Sequence, residues 1–212
     1  MGRAWTVDNV MGTSHPQYPF KGAWYQAFKQ PSKTGTWFIY ANSTNGKTTF
    51  VLQLIKELAQ YDKVLYDSLE EGNSDTMREA FYRVGMNSVA GQVVVVKEDF
   101  QTLRARLRRR KSPRVVVIDS IQYFRRFTFD KYLELEREFP DKLFVVISQA
   151  KGKEPKGQVA DDIRYHANLK IWVEGYVAFS QGRYIGPKGF WVIYEEGARK
   201  YHGDDLLNYK VA

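Results

Sequence analysis

The sequence predicts an α/β fold with a mostly parallel central sheet flanked by helices and a C-terminal antiparallel hairpin extension. Three observations predict it. Between residues 36 and 148, short apolar runs alternate with segments of helical periodicity. Those runs lack the polar–apolar alternation of half-exposed strands, so they suit a sheet covered on both faces. The last third changes character, with consecutive apolar runs parted by glycine-containing turns, the signature of antiparallel strands.

The elements follow in order. Residues 1–35 are rich in Gly, Pro, Tyr and Trp with little periodicity, which predicts mostly loop and a short helix near Ala23–Lys29. Thr36–Tyr40 (TWFIY) is a strand. Lys47–Gln60 is a helix, because Phe50, Leu54, Ile55 and Leu58 recur at helical spacing. Strands are then expected at Val64–Leu69, Val93–Val96, Val115–Ile118 and Leu143–Ser148, with helices at Ser74–Val84, Phe100–Arg110 and Asp130–Glu138 between them. Leu169–Val173, Tyr176–Phe179 and Phe190–Tyr194 supply the antiparallel edge. Residues 36–212 are expected to form one domain, with 1–35 as a loop-rich segment packed on it.

Composition bounds the function. At 212 residues, 43% hydrophobic and 26% charged, the chain has globular composition and enough length for a real core. The longest apolar runs, Val115–Ile118 and Leu143–Ile147, are too short to cross a bilayer, so no membrane partner is expected. The N-terminus lacks the apolar core of a signal peptide, which fits a cytoplasmic location. With no cysteine there is no disulfide, thiolate nucleophile or zinc ribbon. His15, His166 and His202 show no ligand spacing. The net charge of +8 favours polyanionic partners. Much of it sits in residues 104–114 (RARLRRRKSPR), readable as a solvated helix face or as a polyanion contact.

The strongest motif follows the first strand: Ala41-Asn42-Ser43-Thr44-Asn45-Gly46-Lys47-Thr48, then Thr49 and the rest of a helix. This is the G-x-x-x-x-G-K-[ST] pattern of a phosphate-binding loop, with alanine in place of the leading glycine. Backbone N–H groups and a helix N-terminus wrap the phosphates, so bulky side chains must stay away. Gly46 permits close approach, Lys47 reaches the β- and γ-phosphates, and the Thr48 hydroxyl ligates Mg²⁺. If Ala41 must adopt positive φ, the substitution costs on the order of 1 kcal/mol.

Partner residues occur at the ends of later strands. Arg114–Ser120 (RVVVIDS) ends a buried strand in Asp119, placed to meet the Mg²⁺ and its waters, although an Asp there also starts turns. The second strand ends in Glu70-Glu71. Glu70 is the preferred carboxylate to activate a water, Glu71 the second choice, and both also suit the start of the next helix. Gln149 ends the strand Val146-Ile147-Ser148-Gln149, where it can feel the γ-phosphate. Tyr123-Phe124-Arg125-Arg126-Phe127 is a basic-aromatic patch that can line a single-strand path or pack under the next helix.

The order of these motifs resembles the RecA superfamily, most of all the ATPase core of the bacterial RadA/Sms branch, with DnaB-type helicases next. Val117-Ile118-Asp119-Ser120-Ile121-Gln122 is similar to the RadA Walker B stretch, and Ser68-Leu69-Glu70-Glu71 to the family's catalytic-glutamate segment. Ser180–Gly186 (SQGRYIG) is loosely similar to the K-N-R-F-G motif, without its lysine and asparagine. The likeness spans residues 35–195 or so. It implies a RecA-like P-loop core that binds and hydrolyses ATP with Mg²⁺, assembled as a homo-oligomeric ring or filament with ATP between subunits. It makes Arg183 a candidate finger for a neighbour's nucleotide, and it places a mobile DNA-contacting loop at Lys151–Gly157, with Lys151, Lys153 and Lys156 as phosphate contacts. RadA proteins carry an N-terminal zinc module and a C-terminal protease-like domain; this chain carries neither, as expected of a stripped core encoded by a phage or mobile element.

Two functions follow as expectations. One is a DNA-dependent ATPase acting on single-stranded DNA in recombination or replication. The other is an ATP switch resembling the KaiC branch or a loading factor, which governs protein assembly without DNA stimulation and uses the 104–114 cluster on an acidic protein.

Overall fold

The computed structural model describes residues 4–207; the outermost residues of the expected 1–35 segment and 36–212 domain, 1–3 and 208–212, lie outside it. The strands are β1 (Gly35–Ala41), β2 (Val64–Ser68), β3 (Val93–Val96), β4 (Val115–Asp119), β5 (Leu143–Lys151), β6 (Glu154–Pro155), β7 (Leu169–Glu174), β8 (Val177–Gly182) and β9 (Phe190–Val192). The helices are α1 (Val7–Gly12), α2 (Gly22–Phe28), α3 (Lys47–Leu58), α4 (Asp75–Val84), α5 (Phe100–Leu107), α6 (Phe129–Glu138), α7 (Gln158–His166), α8 (Glu195–His202) and α9 (Asp204–Leu207).

The sheet runs in the order β3-β2-β4-β5-β1-β7-β8-β9. Pairings from β3 through β7 are parallel, whereas β7–β8 and β8–β9 are antiparallel. A mostly parallel sheet with an antiparallel edge is therefore the architecture, as the apolar runs predict. The physical cause is visible in β1. Trp37, Ile39 and Ala41 enter the core layer under α3 and α4, while Phe38 and Tyr40 enter the layer under α5, α6 and α7. With both faces covered, every position from Trp37 to Ala41 is buried and must be apolar.

Aromatic residues of the N-terminal segment join the first layer. Tyr18, Phe20 and Phe28 are fully buried, with Tyr18 and Phe20 edge-on to Trp37.

Several features depart from expectation, the short helices α1 and α9 among them. α7 has only Ala160 and Ile163 as buried residues and a glycine at its N-cap, so its apolar signal is too thin to read from sequence. α8 buries only Ala198. The Lys151–Gly157 segment, expected as a mobile loop, is instead a short β-hairpin: β5 runs through Lys151 and pairs antiparallel with β6 at Ala150–Pro155 and Lys151–Glu154. Gly152, at φ +66, makes the tight turn that any β-carbon would strain.

Candidate nucleotide site

Register brings the motifs together. Ala41 at the end of β1 pairs with Gln149 of β5, Asp119 of β4 pairs with Ile147 of β5, and Ser68 of β2 pairs with Asp119. The carboxyl ends of these neighbouring strands form the crevice in which open α/β sheets place their ligands.

The loop after β1 turns at Thr44 (φ +64) and Gly46 (φ +89) and delivers the chain into α3. Ala41 is not a positive-φ residue; it ends β1 as extended strand, 1% exposed, so the conformational cost attached to it at the sequence level does not arise. Gly46 is required on two counts. Its φ lies in the left-handed region, and a β-carbon there would stand 3.0 Å from the Tyr176 ring. No side chain caps α3, which leaves its first N–H groups free for an anion. Asn45 fixes the loop tip. Its Oδ1 accepts the Gly175 N–H at 2.8 Å, its carbonyl accepts the Tyr176 N–H at 3.2 Å, and its Nδ2 donates to the Ser43 carbonyl at 3.0 Å. The loop after β1 is thus bolted to the β7–β8 turn.

Behind the loop, Lys47 Nζ lies 3.3 Å from Asp119 Oδ1, and Tyr66 donates to Asp119 Oδ2 at 2.8 Å. Burial and the neighbouring Asp119 charge hold the Tyr66 phenol protonated, well above its ordinary range. A cleft of about 240 Å³ is lined by the loop, including Ala41, Asn42, Ser43, Thr44, Lys47, Thr48 and Thr49, and by Glu70, Glu71, Asp119 and Gln149. The two glutamates differ. Glu71 accepts a hydrogen bond from Thr76 at 3.0 Å. Glu70 is exposed, and among the described residues its carboxylate has no hydrogen-bond partner. Thr48 and Asp119 both line the cleft and carry oxygen donors of the kind a hard cation such as Mg²⁺ takes, and among the described residues no group of three or more His, Cys, Asp or Glu side chains could hold a metal by itself.

A second cavity, about 880 Å³, opens beside the first and shares Thr44, Gly46 and Thr49 with it. Sequence reasoning missed its walls: Trp24, Gln53, Arg83, Tyr176, Trp191, Ile193 and Tyr194. Trp24 stacks on Trp191 with ring centroids 4.0 Å apart, and Trp191 donates to Gln53 Oε1 at 2.9 Å. The aromatic richness of these segments was visible in the sequence, but nothing local linked residue 24 to residue 191.

Other expected residues lie elsewhere. Arg183 donates to Asn168 Oδ1, and the Asn168 N–H bonds the carbonyl of Thr36 at the start of β1. That is the end of the sheet opposite the phosphate loop, roughly 16 Å along the strand from Ala41. The structure does not bring Arg183 to the cleft of its own chain. Arg125 and Arg126 are exposed in the loop between β4 and α6. Of the aromatics around them, Phe124 and Phe127 pack against Phe100, and only Tyr123 remains outside, at 46% exposure. Lys151, Lys153 and Lys156 are exposed on the β5–β6 hairpin at the cleft end of the sheet. Within the 104–114 cluster, Arg104 and Arg108 both bond Glu138, and Arg106 bonds Glu98, which neutralises part of it; Arg109, Arg110 and Lys111 stay exposed.

No protein-family model matches the chain, and a search of curated proteins finds no match. Solved structures do match. The KaiC-like protein PH0186 from the hyperthermophilic archaeon Pyrococcus horikoshii OT3 superposes with a TM-score of 0.57 at 17% identity, over 81% of this chain and 88% of that one. The flagellar accessory protein FlaH from Methanocaldococcus jannaschii superposes at 0.53 with 14% identity, over 71% and 78%. The fold is RecA-like. In the RecA-like core, β1 with its loop and α3, β2, β4 and β5 supply the cleft, and the β7–β9 edge walls the second cavity. No helix among the described residues is long and apolar enough to cross a membrane.

Proposed function

We propose that this chain is a Mg²⁺-dependent ATPase whose hydrolysis is stimulated by single-stranded DNA, in recombination or replication. The observation that carries the reading is the convergence of Lys47, Glu70, Asp119 and Gln149 on one cleft at the mouth of an uncapped helix.

The roles follow from placement. The triphosphate lies along the Ala41–Thr49 loop, where backbone N–H groups and Lys47 take its charge. Thr48 and Asp119 would hold Mg²⁺, which would supply charge neutralisation to the phosphates. Glu70 orients a water for attack on the γ-phosphorus and takes its proton as the bond to the bridging oxygen breaks and ADP leaves. Gln149 reports whether the γ-phosphate is present. The aromatic second cavity, of a size suited to small organic ligands, takes the base and ribose.

Single-stranded DNA is supported by position and charge. Lys151, Lys153 and Lys156 on the hairpin, Arg125 and Arg126 in the neighbouring loop, and exposed Tyr123 extend the cleft end of the sheet. Cations on the backbone with an aromatic for a base is the usual arrangement for unpaired strands. Assembly as a ring or filament is supported by Arg183, which lies too far from its own cleft to serve there and would act on a neighbour's. Residues 36–212 would be the ATPase unit and 1–35 its packed extension. A second reading, an ATP switch that controls protein assembly, draws on exposed Arg109, Arg110 and Lys111 at the opposite end of the sheet.

The test is steady-state ATP hydrolysis with and without single-stranded DNA, beside Lys47→Ala. Stimulation that disappears in the variant is expected. Hydrolysis indifferent to DNA moves the function to the assembly switch, and undiminished hydrolysis by Lys47→Ala removes the phosphate-loop assignment.

A further inference from the structure

Gln122 sits in the turn Ile121–Tyr123 directly after β4, and its side-chain amide joins three segments. Nε2 donates to Ser148 Oγ at 2.7 Å and to the Lys156 carbonyl at 2.9 Å, while Oε1 accepts the Gln149 backbone N–H at 3.2 Å. The knot is closed by further bonds at Gln149. Ser148 Oγ and the Lys156 N–H both donate to the Gln149 carbonyl, at 2.7 and 2.8 Å, and Lys156 Nζ reaches Gln149 Oε1 at 3.2 Å. Ser148 is fully buried, so its hydroxyl depends on protein partners.

We infer that Gln122 is the positioning residue that couples the phosphate-facing Gln149 to both basic surface elements, the Tyr123–Arg126 loop and the β5–β6 hairpin. The chemistry is specific to an amide. It must donate twice in one direction and accept once in the other, which neither a carboxylate nor an apolar side chain of equal length can do. Gln122 does not itself line the phosphate cleft; Lys156 also bonds Gln149 directly, but the Gln122 amide is what ties Gln149 and the hairpin to the turn that carries Tyr123. A shift of the Gln149 strand end on meeting a γ-phosphate therefore moves the base of the hairpin and the turn that carries Tyr123. By the same linkage, a strand bound on those loops changes how Gln149 sits.

This inference rests on the ATPase reading above, and its test separates the two. Gln122→Glu and Gln122→Leu keep the side chain's length, and melting curves check that both fold. Hydrolysis without DNA is expected to stay within about twofold of wild type, and oligo-dT binding without nucleotide to be retained. Stimulation by oligo-dT is expected to fall by roughly tenfold, inside the range typical of coupled sites. A second readout needs no DNA: trypsin cleavage after Lys151, Lys153 and Lys156, with and without a non-hydrolysable ATP analogue. Wild type is expected to change its cleavage rate with the analogue and both variants to lose the change. Wild-type stimulation and wild-type nucleotide-dependent cleavage in the variants overturn the coupling role, as does a loss of DNA-free hydrolysis in step with stimulation. If wild type ignores DNA, the DNA reading falls, and the cleavage comparison still decides the role of Gln122.

Discussion

Lys47 Nζ and Asp119 Oδ1 stand 3.3 Å apart, with only 14% and 7% of the two side chains exposed. Each is thereby held at the phosphate cleft by the other, seventy-odd residues away in sequence but on adjoining elements. Lys47→Ala removes the proposed phosphate contact and leaves Asp119 with Tyr66 as its remaining partner. Loss of one such charge-stabilising group is expected to lower kcat by roughly 10²–10³-fold, measured by steady-state hydrolysis.

The exposure of Glu70 and the engagement of Glu71 with Thr76 separate two adjacent carboxylates. Glu70→Gln is expected to keep ATP binding and lower turnover by about 10²-fold or more, the scale of general base catalysis. Glu71→Gln is expected to stay within a few-fold of wild type. Single-turnover hydrolysis beside equilibrium binding checks both, and the reverse pattern assigns the base to Glu71.

Restoring the motif's leading glycine is expected to gain nothing. Ala41 is buried, extended strand, so Ala41→Gly adds only chain entropy and is expected to destabilise by about 0.5–1 kcal/mol. Thermal melting and hydrolysis rate measure the two halves of the statement. A faster enzyme would mean that the loop needs a conformation alanine resists.

Asn45 ties the loop tip to the Gly175 turn, which carries Tyr176 into the second cavity. Asn45→Ala is expected to weaken nucleotide binding by roughly tenfold, equivalent to about 1.4 kcal/mol. The stacked Trp24–Trp191 pair lines that cavity, so its fluorescence should follow a nucleoside entering. A signal unchanged at saturating ATP would place the base elsewhere.

Asp67 is fully buried beside the cleft strands. Its Oδ1 accepts the Glu98 N–H at 3.0 Å, while Oδ2 has no partner. Burial pushes its carboxyl up to about 7. The folded state therefore holds this proton more tightly than the unfolded one, and Asp67's contribution to stability falls as pH rises from about 4 to 7. Asp67→Asn does not titrate. Its melting temperature minus that of wild type is expected to grow between pH 5 and pH 8, by the equivalent of a few kcal/mol at most, on the order of the shift. A constant difference assigns the proton to another group.

Local sequence carried much of this molecule because two physical signals are local. A strand buried on both faces is mostly apolar, so Thr36–Tyr40, Val115–Ile118 and Leu143–Ser148 were legible. A Gly-Lys-Thr run after an apolar strand marks a turn into a helix, so the passage from β1 through Ala41–Thr48 into α3 was legible too. What tertiary structure alone decided depends on side chains far apart in the chain. α7 and α8 bury so little that periodicity could not announce them. The hairpin at Lys151–Glu154 forms where β5 continues past the ends of β1 and β4, and a run of lysines and glycines does not encode that. Phe124 and Phe127 went to packing because Phe100 meets them there. The aromatic cavity exists only where Trp24, Tyr176 and Trp191 converge, and the Gln122 knot only where β4 and β5 lie side by side. Motif chemistry is written in neighbours along the chain, whereas cavities and couplings are written in neighbours in space.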